Sequence, residues 1–207
     1  MGFGTIAANA TPREVEMKLD FITVVSGLPR SGTSLMMQML AAGGIPPLTD
    51  HQREPDESNP RGYFEFEPVK RLRADRSWLD QAHGRAIKVI HLLLRELPTD
   101  GVHNYRVILM KRPIKEVLAS QRVMLERQGK TGADDATLEK IYLSQLAQVE
   151  AWLNRHPVFS VLPLEYRHVV KHSLEVAREI NAFLQVSLDA EAMATAVDPT
   201  LYRQRLA

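Results

Sequence analysis

Residues 27–34 read GLPRSGTS and directly follow the apolar run FITVVS. Gly27 and Gly32 have the spacing of the phosphate-binding loop G-x-x-x-x-G-K-[ST], but Thr33 stands where that loop has its lysine. A strand, a glycine-containing turn and a helix start aim backbone N–H groups and the positive end of a helix dipole at one point. The stretch therefore predicts an anion site, to which Thr33 and Ser34 add hydroxyl donors. Ser31 or Thr33 is expected to cap the helix, and the alternative to an anion site is a plain strand-to-helix turn with a capping serine.

Nucleotide kinases and hydrolases need, besides the loop lysine, an acidic residue at another strand end to hold Mg²⁺. The apolar run AIKVI leads instead to His91, and YRVILM leads to Lys111 and Arg112. Only Glu165, after VFSVLPL, could serve as the acid. Cationic residues stand where an acidic, Mg²⁺-binding residue is expected, which favours a site that binds an anion without a metal. A kinase or hydrolase with a degenerate Walker A loop, and a non-catalytic nucleotide-binding module, are the alternatives.

Residues 29–34, PRSGTS, resemble the 5′-phosphosulfate loop of the sulfotransferases that use 3′-phosphoadenosine 5′-phosphosulfate (PAPS), which reads roughly P-[KR]-S-G-T-[TS]. The form GLPRSGTSLM is most similar to the loop of the protein-tyrosine sulfotransferases and their bacterial relatives. The resemblance implies that Arg30 stabilises charge on the leaving bridge oxygen. It also implies a set of cofactor-binding residues in the loop: Pro29, Arg30, Ser31, Gly32, Thr33 and Ser34.

Two further blocks resemble the same family and follow in the family's order. Residues 112–120, RPIKEVLAS, are similar to its 3′-phosphate element and preserve the interval of eight from arginine to serine, which implies phosphate binding by Arg112 and Ser120. Residues 164–173, LEYRHVVKHS, are similar to the family segment Y-E-D-L-x-x-D-P, whose tyrosine lies beside the adenine. Tyr166 takes that position, while Arg167 and His168 stand where the family has acids.

Sulfuryl transfer also needs a base for the proton of the acceptor. Protein-tyrosine sulfotransferases use a glutamate downstream of the loop, which favours Glu65 in GYFEFE as the first candidate. Cytosolic sulfotransferases use the histidine of K-T-H, and here Lys88 and His91 are one residue further apart, which makes His91 the second candidate. Glu65 could instead be a carboxylate at a helix N-terminus. Lys88 would contact the transferring group, as the family lysine does, or flank the sheet.

The elements that must position these residues alternate along the chain. Apolar, β-branched runs predict strands at residues 21–26, 86–91, 105–110 and 158–162. Helical spacing predicts helices from residue 33 to the Gly43-Gly44 pair, mostly over 65–81, and over 113–128, 136–154 and 169–184. Alternation of this kind predicts βαβ units and a parallel sheet. With the resemblance, the expected fold is α/β, three-layered and P-loop NTPase-like, with about four to five strands.

Length and composition limit the remaining function classes. The 207 residues predict one domain, with residues 1–19 as a loose lead-in. The net charge of +1 gives no reason to expect nucleic-acid binding, and the absence of cysteine excludes disulfides and thiolate sites. Neither a long apolar run nor a secretory segment is present, so we expect no membrane span and a cytoplasmic location. Loop 44–62 is expected to face a small-molecule, carbohydrate or peptide acceptor. The histidine spacing suggests no metal.

Overall fold

A computed structural model of the protein describes residues 19–205, so the lead-in expected at residues 1–19 lies almost wholly outside the described part. The described residues form one parallel sheet of four strands in the order β2-β1-β3-β4. Its strands are β1 Phe21–Gly27, β2 Ala86–Lys88, β3 Asn104–Lys111 and β4 Phe159–Glu165. The expected α/β fold with a central parallel sheet is confirmed.

Helices cover both faces of this sheet. The α-helices are α1 Thr33–Gly43, α2 Ile114–Arg127, α3 Asp135–Leu153, α4 Tyr166–Lys171, α5 Ser173–Leu184 and α6 Ala190–Thr195. Short 3₁₀ helices occupy Glu67–Arg71, Leu79–Ala82, His91–Glu96 and Pro199–Leu201. Within residues 19–205, none of the helices has the length and apolar character needed to cross a bilayer.

Alternation along the strands divides the core into two layers. Val25 and Ile108 face the layer formed by α1, α5 and α6, whereas Val24 and Val107 face α3 and the 3₁₀ segments. All four side chains are fully buried. Because both faces of the sheet are covered, each strand is a nearly continuous apolar run, which is the pattern that made the strands recognisable in the sequence.

The helix predicted over residues 65–81 is wrong. Its place is taken by the 3₁₀ helices Glu67–Arg71 and Leu79–Ala82, with turns between them. One cause is Asp75, whose Oδ1 accepts hydrogen bonds from the backbone N–H and the hydroxyl of Ser77. A side chain that bonds to the nearby backbone in this way competes with helix formation.

Several other boundaries differ from the sequence-based expectation. The strand expected over 86–91 ends at Lys88, and the helix expected over 169–184 starts at Tyr166 and breaks at His172. The strand expected over 158–162 continues past Pro163, because β4 is an edge strand and a proline can lie there without losing a ladder hydrogen bond. The short helix α6 was not expected.

Helix α6 nevertheless contributes a fully buried side chain, Met193, which packs closely on Gly43 at the end of α1. We expect Met193→Ala to lower the free energy of unfolding by about 2–5 kcal/mol, because it leaves a cavity between α1 and α6. Urea denaturation measures this change. The control is Leu143→Ala on the exposed side of α3, where the expected change is within about 0.5 kcal/mol. Equal effects of the two substitutions would contradict the packing described.

Candidate functional site

A cavity of about 300 Å³ opens at the carboxyl ends of the strands, the edge where open parallel sheets bind their ligands. The loop after β1, the segment from Arg53 to Glu65, the end of β2, one face of α2 and the chain before residue 205 enclose it. Among the described residues its lining includes six cationic side chains: Arg30, Arg53, Lys88, Arg112, Arg127 and Arg203. The three acidic side chains of the lining are Glu57, Glu65 and Asp198. The cavity is thus cationic although the chain is nearly neutral.

The loop after β1 presents the start of α1 to this cavity. Gly32 is the N-cap of α1 with a φ of 103°, so the expectation that Ser31 or Thr33 caps the helix is wrong. A Cβ at Gly32 would collide with the ring of Tyr166, which closes one side of the loop. The first turn contains no acidic residue, and its N–H groups have no partners inside the helix. This helix start can therefore receive an anion.

The loop residues predicted to bind the cofactor divide into two groups. Pro29, Arg30, Gly32, Thr33 and Ser34 line the cavity. Ser31 does not: its side chain is buried beneath the loop, and its backbone N–H donates to the carbonyl of Leu28 at 3.1 Å. Ser31 therefore shapes the turn rather than contributing a hydroxyl to the cavity.

Lys88 supplies a lysine side chain beside the loop, which has none of its own. Its Nζ donates to Ser34 Oγ at 3.0 Å and to the carbonyl of Tyr63 at 2.7 Å. Asn59 Nδ2 donates to the same Ser34 oxygen at 2.9 Å. Burial lowers the pKa of Lys88 to about 8, an effect that the attraction of Glu65 partly opposes. The cation beside the helix start thus comes from β2, the strand adjacent to β1.

Arg30 contacts Ser120, the residue that the sequence blocks grouped with Arg112 at a separate phosphate site. Arg30 Nε donates to Ser120 Oγ at 3.1 Å, and Arg30 Nη2 donates to the carbonyl of Ser58 at 2.9 Å. Arg112 donates to the carbonyls of Arg30 and Gln204 at 3.1 and 2.7 Å. The guanidinium of Arg112 stacks 4.8 Å from the ring centre of Tyr166, which burial keeps largely from water. Arg112 is thus engaged mainly with protein atoms.

The two candidate bases lie in different places. Glu65 lines the cavity, with its carboxylate 2.7 Å from Arg53 Nη1, and it precedes the 3₁₀ helix that starts at Glu67 rather than lying in its first turn. His91 is buried outside the cavity lining, with Nε2 3.0 Å from Gln145 Oε1 on α3. Burial lowers the pKa of His91. Of the two, only Glu65 shares the cavity with Lys88.

Each carboxylate of the cavity lining is paired with an arginine. Glu65 lies 2.7 Å from Arg53, as described above, and the other two pairs are Glu57 with Arg127 at 3.7 Å and Asp198 with Arg61 at 3.2 Å. Glu165, the one acid that the sequence offered for Mg²⁺, does not line the cavity. Carboxylates neutralised in this way make a poor site for a hard divalent cation.

Sequence reasoning missed several residues of the cavity wall. Asn59 is positioned by a turn in which Asp56 Oδ1 accepts the N–H groups of Ser58 and Asn59, and the hydroxyl of Tyr63 donates to Asp56 Oδ2. The D-x-S-N spacing is a recognisable turn signal. Arg203 reaches the cavity because the last described residues fold back to it, although the tail TLYRQRLA lacks the R-K-G that completes the 3′-phosphate site of cytosolic sulfotransferases.

Comparisons with known proteins give similarity in three dimensions only. No family model and no curated protein matches the chain. The sulfotransferase domain from the Synechococcus PCC 7002 olefin synthase matches with a TM-score of 0.55 at 16% identity, over 87% of this chain and 85% of that one. The sulfotransferase domain from the curacin biosynthetic pathway matches with a TM-score of 0.51 at 15% identity, over 89% of each chain.

Mouse sulfotransferase SULT7A1 complexed with PAP has a TM-score of 0.47 at 16% identity, over 86% of this chain and 62% of that one. The first two matches suffice to assign the fold. The chain has the fold of a sulfotransferase domain. The resemblance seen in the loop sequence is confirmed at that level.

The lowered pKa of Lys88 predicts a pH-dependent stability. Unfolding returns Lys88 to its usual pKa of 10.5, so the unfolded chain binds more protons between pH 8 and 10.5. The free energy of unfolding of the native protein should therefore rise over that interval relative to Lys88→Met, by up to about 3 kcal/mol. Urea denaturation of both proteins at pH 7 and pH 10 measures the difference.

The control is Lys140→Met, which removes an exposed lysine from α3 and should track the native protein at both pH values. A difference between the native protein and Lys88→Met that stays constant with pH would contradict burial of the Lys88 charge.

Proposed function

We propose that this protein is a sulfotransferase that transfers a sulfuryl group from PAPS to a hydroxyl or amine acceptor. The observation that carries the proposal is the position of Lys88, whose Nζ lies 3.0 Å from Ser34 Oγ at the open start of α1. The loop thereby gains a second cation beside Arg30 without the lysine that a nucleotide kinase uses. Within residues 19–205, every carboxylate of the cavity lining is paired with an arginine, so none is available for Mg²⁺.

The start of α1 is the proposed site for the 5′-phosphosulfate. Its backbone N–H groups and the hydroxyls of Thr33 and Ser34 would hold the phosphate, and Lys88 would face the transferring group. Lys88 carries a proton at neutral pH because its pKa lies at about 8. An ammonium donor in this buried position stabilises negative charge as it develops on the leaving bridge oxygen. This assigns to Lys88 the role that the sequence gave to Arg30.

The part of the cavity lined by Arg30 and Ser120 is the proposed 3′-phosphate site. Arg30 reaches across to Ser120 there, and Arg127 and Arg203 line the same cavity. Arg112 supports this wall from behind by holding the carbonyls of Arg30 and Gln204. Guanidinium groups suit a phosphate because their planar forks offer two parallel donors. PAPS carries two separate anionic centres, which this division of the cations fits.

Glu65 is the proposed general base. It shares the cavity with Lys88, whose charge it attracts, and Arg53 holds its carboxylate at 2.7 Å. In the reaction, a bond forms between the acceptor oxygen or nitrogen and sulfur while the bond from sulfur to the bridge oxygen breaks. Glu65 takes the proton of the acceptor, and the electron pair of the broken bond stays on the bridge oxygen beside Lys88. His91, outside the cavity lining, has no part in this proposal.

Ligand binding tests the donor specificity. Isothermal titration should give tighter binding of 3′-phosphoadenosine 5′-phosphate (PAP), the desulfated product, than of ATP with Mg²⁺. Arg30→Ala should weaken PAP binding by roughly 10- to 100-fold through loss of a charged hydrogen bond, as judged from about 1.5–3 kcal/mol for such bonds. The control Arg73→Ala removes an exposed arginine and should bind PAP normally. Equal or tighter binding of ATP with Mg²⁺ would reject the proposal in favour of a kinase or hydrolase.

Transfer kinetics separate the proposed roles. With labelled PAPS and a panel of phenols, alcohols, sugars and amines as acceptors, Lys88→Met should lower kcat by about 100-fold or more, the effect of removing one preorganised donor. Glu65→Gln should lower kcat by about 100-fold with PAP affinity retained. The kcat/KM of the native protein for PAPS should fall above pH 8 as Lys88 loses its proton. A Lys88→Met variant as active as Lys140→Met would refute the role of Lys88.

A further inference from the structure

We propose that Asp80, His83 and His103 form a zinc-binding site at the edge of the sheet opposite the cavity. One ligand atom from each of the three side chains can be chosen so that all lie within 4.8 Å of one another. Twenty residues separate the two histidines along the chain, so their spacing gives no metal-binding pattern. The fold joins them because His83 forms a bridge with Ile22 at the start of β1 and His103 directly precedes β3.

The facing nitrogens of the two imidazoles are separated by nearly the distance expected for two ligands of one zinc ion. His83 Nε2 lies 3.1 Å from His103 Nδ1. Two nitrogens on one tetrahedral zinc, at their usual bond length, lie about 3.3 Å apart. The rings are tilted by 44° to each other rather than stacked, with their centres 5.4 Å apart. Binding of one ion by both nitrogens therefore requires little change in their separation.

The other nitrogen of His83 fixes which atom is free to bind. His83 Nδ1 lies 3.3 Å from the carbonyl oxygen of Leu19, which can only accept a hydrogen bond. In the neutral ring the proton therefore belongs on Nδ1, and the lone pair of Nε2 points at His103. Donation of the second ring N–H to a backbone carbonyl is the usual way in which a protein orients a metal-bound histidine.

Asp80 completes the site from the solvent side. A carboxylate oxygen of Asp80 lies within 4.8 Å of a ring nitrogen of each histidine, and the Asp80 side chain is 89% exposed, so it can rotate toward an ion at small cost. The His103 side chain is only 10% exposed, so the proposed site is buried on the His103 side and open to solvent on the Asp80 side. Two imidazoles and one carboxylate match the ligand set that zinc prefers over Mg²⁺ or Ca²⁺.

An ion here would tie the 3₁₀ helix Leu79–Ala82 to the amino ends of β1 and β3. The phosphate loop lies at the other end of β1, roughly 20 Å away at the usual rise per residue of a strand. The inference thus does not depend on the proposed function, and the site is structural rather than catalytic in this proposal.

To test the site, the full, tag-free protein is first treated with a chelator and then titrated with Zn²⁺ alone. We expect one Zn²⁺ per chain, and Co²⁺ at the same site should give the absorption bands of tetrahedral coordination. His83→Gln should weaken Zn²⁺ binding by more than about 100-fold, because losing even an outer hydrogen-bond partner costs 10- to 100-fold. Asp80→Asn, at an exposed position that does not threaten folding, should weaken binding by about 10-fold. His51→Gln, which alters an exposed histidine elsewhere, should bind as the native protein does.

Two results would overturn the site. One is the absence of one-to-one Zn²⁺ binding by the native protein, which would leave His83 and His103 as a hydrogen-bonded pair. The other is native-like Zn²⁺ affinity in both Asp80→Asn and His83→Gln, which would assign the ion to other residues. Thermal unfolding of each variant without metal shows whether a loss of binding comes from loss of fold.

Discussion

The buried guanidinium of Arg112 is the interaction on which the site depends most. Its side chain is only 6% exposed, and it donates to Glu116 and to the carbonyls of Arg30 and Gln204. Through one side chain, the end of β3 is joined to the phosphate loop and to the last described residues of the chain. The loop needs this support because Arg30 has a positive φ of 70°, which is unfavourable for a residue with a side chain.

Burial of that charge explains how the other cations are distributed. The hydroxyl of Tyr202 donates to the carboxylate of Glu116, so the ion pair is hydrogen-bonded on both sides, as a buried pair must be. Because Arg112 is committed to protein atoms, the cavity depends on cations that other elements provide. Lys88 comes from β2, whose carboxyl end lies beside that of β1, and Arg203 comes from the end of the chain.

The sequence predicted the parts of the site whose cause is local. The strand FITVVS, the glycine frame of the loop and the presence of Arg30 and Arg112 at one edge of the sheet all follow from short patterns and from the rule that parallel strands share an edge. Two other features were not predicted. The helix expected over residues 65–81 has favourable helix propensity, but the Asp75–Ser77 turn interrupts it. The position of Arg203 at the cavity depends on how the last described residues pack.

Local charge, rather than net charge, decides what this cavity can attract. The chain carries 26 basic and 25 acidic side chains, so its formal net charge of +1 predicts no affinity for anions. The carboxylates of the cavity lining, however, pair with Arg53, Arg61 and Arg127, and Arg112 pairs with Glu116. Among the described residues, this leaves Arg30, Lys88 and Arg203 of the lining without a carboxylate within ion-pair distance. Field lines from such cations are concentrated by low-dielectric walls. A nearly neutral protein can thus hold a strongly anionic ligand, provided that its acids are neutralised where the ligand binds.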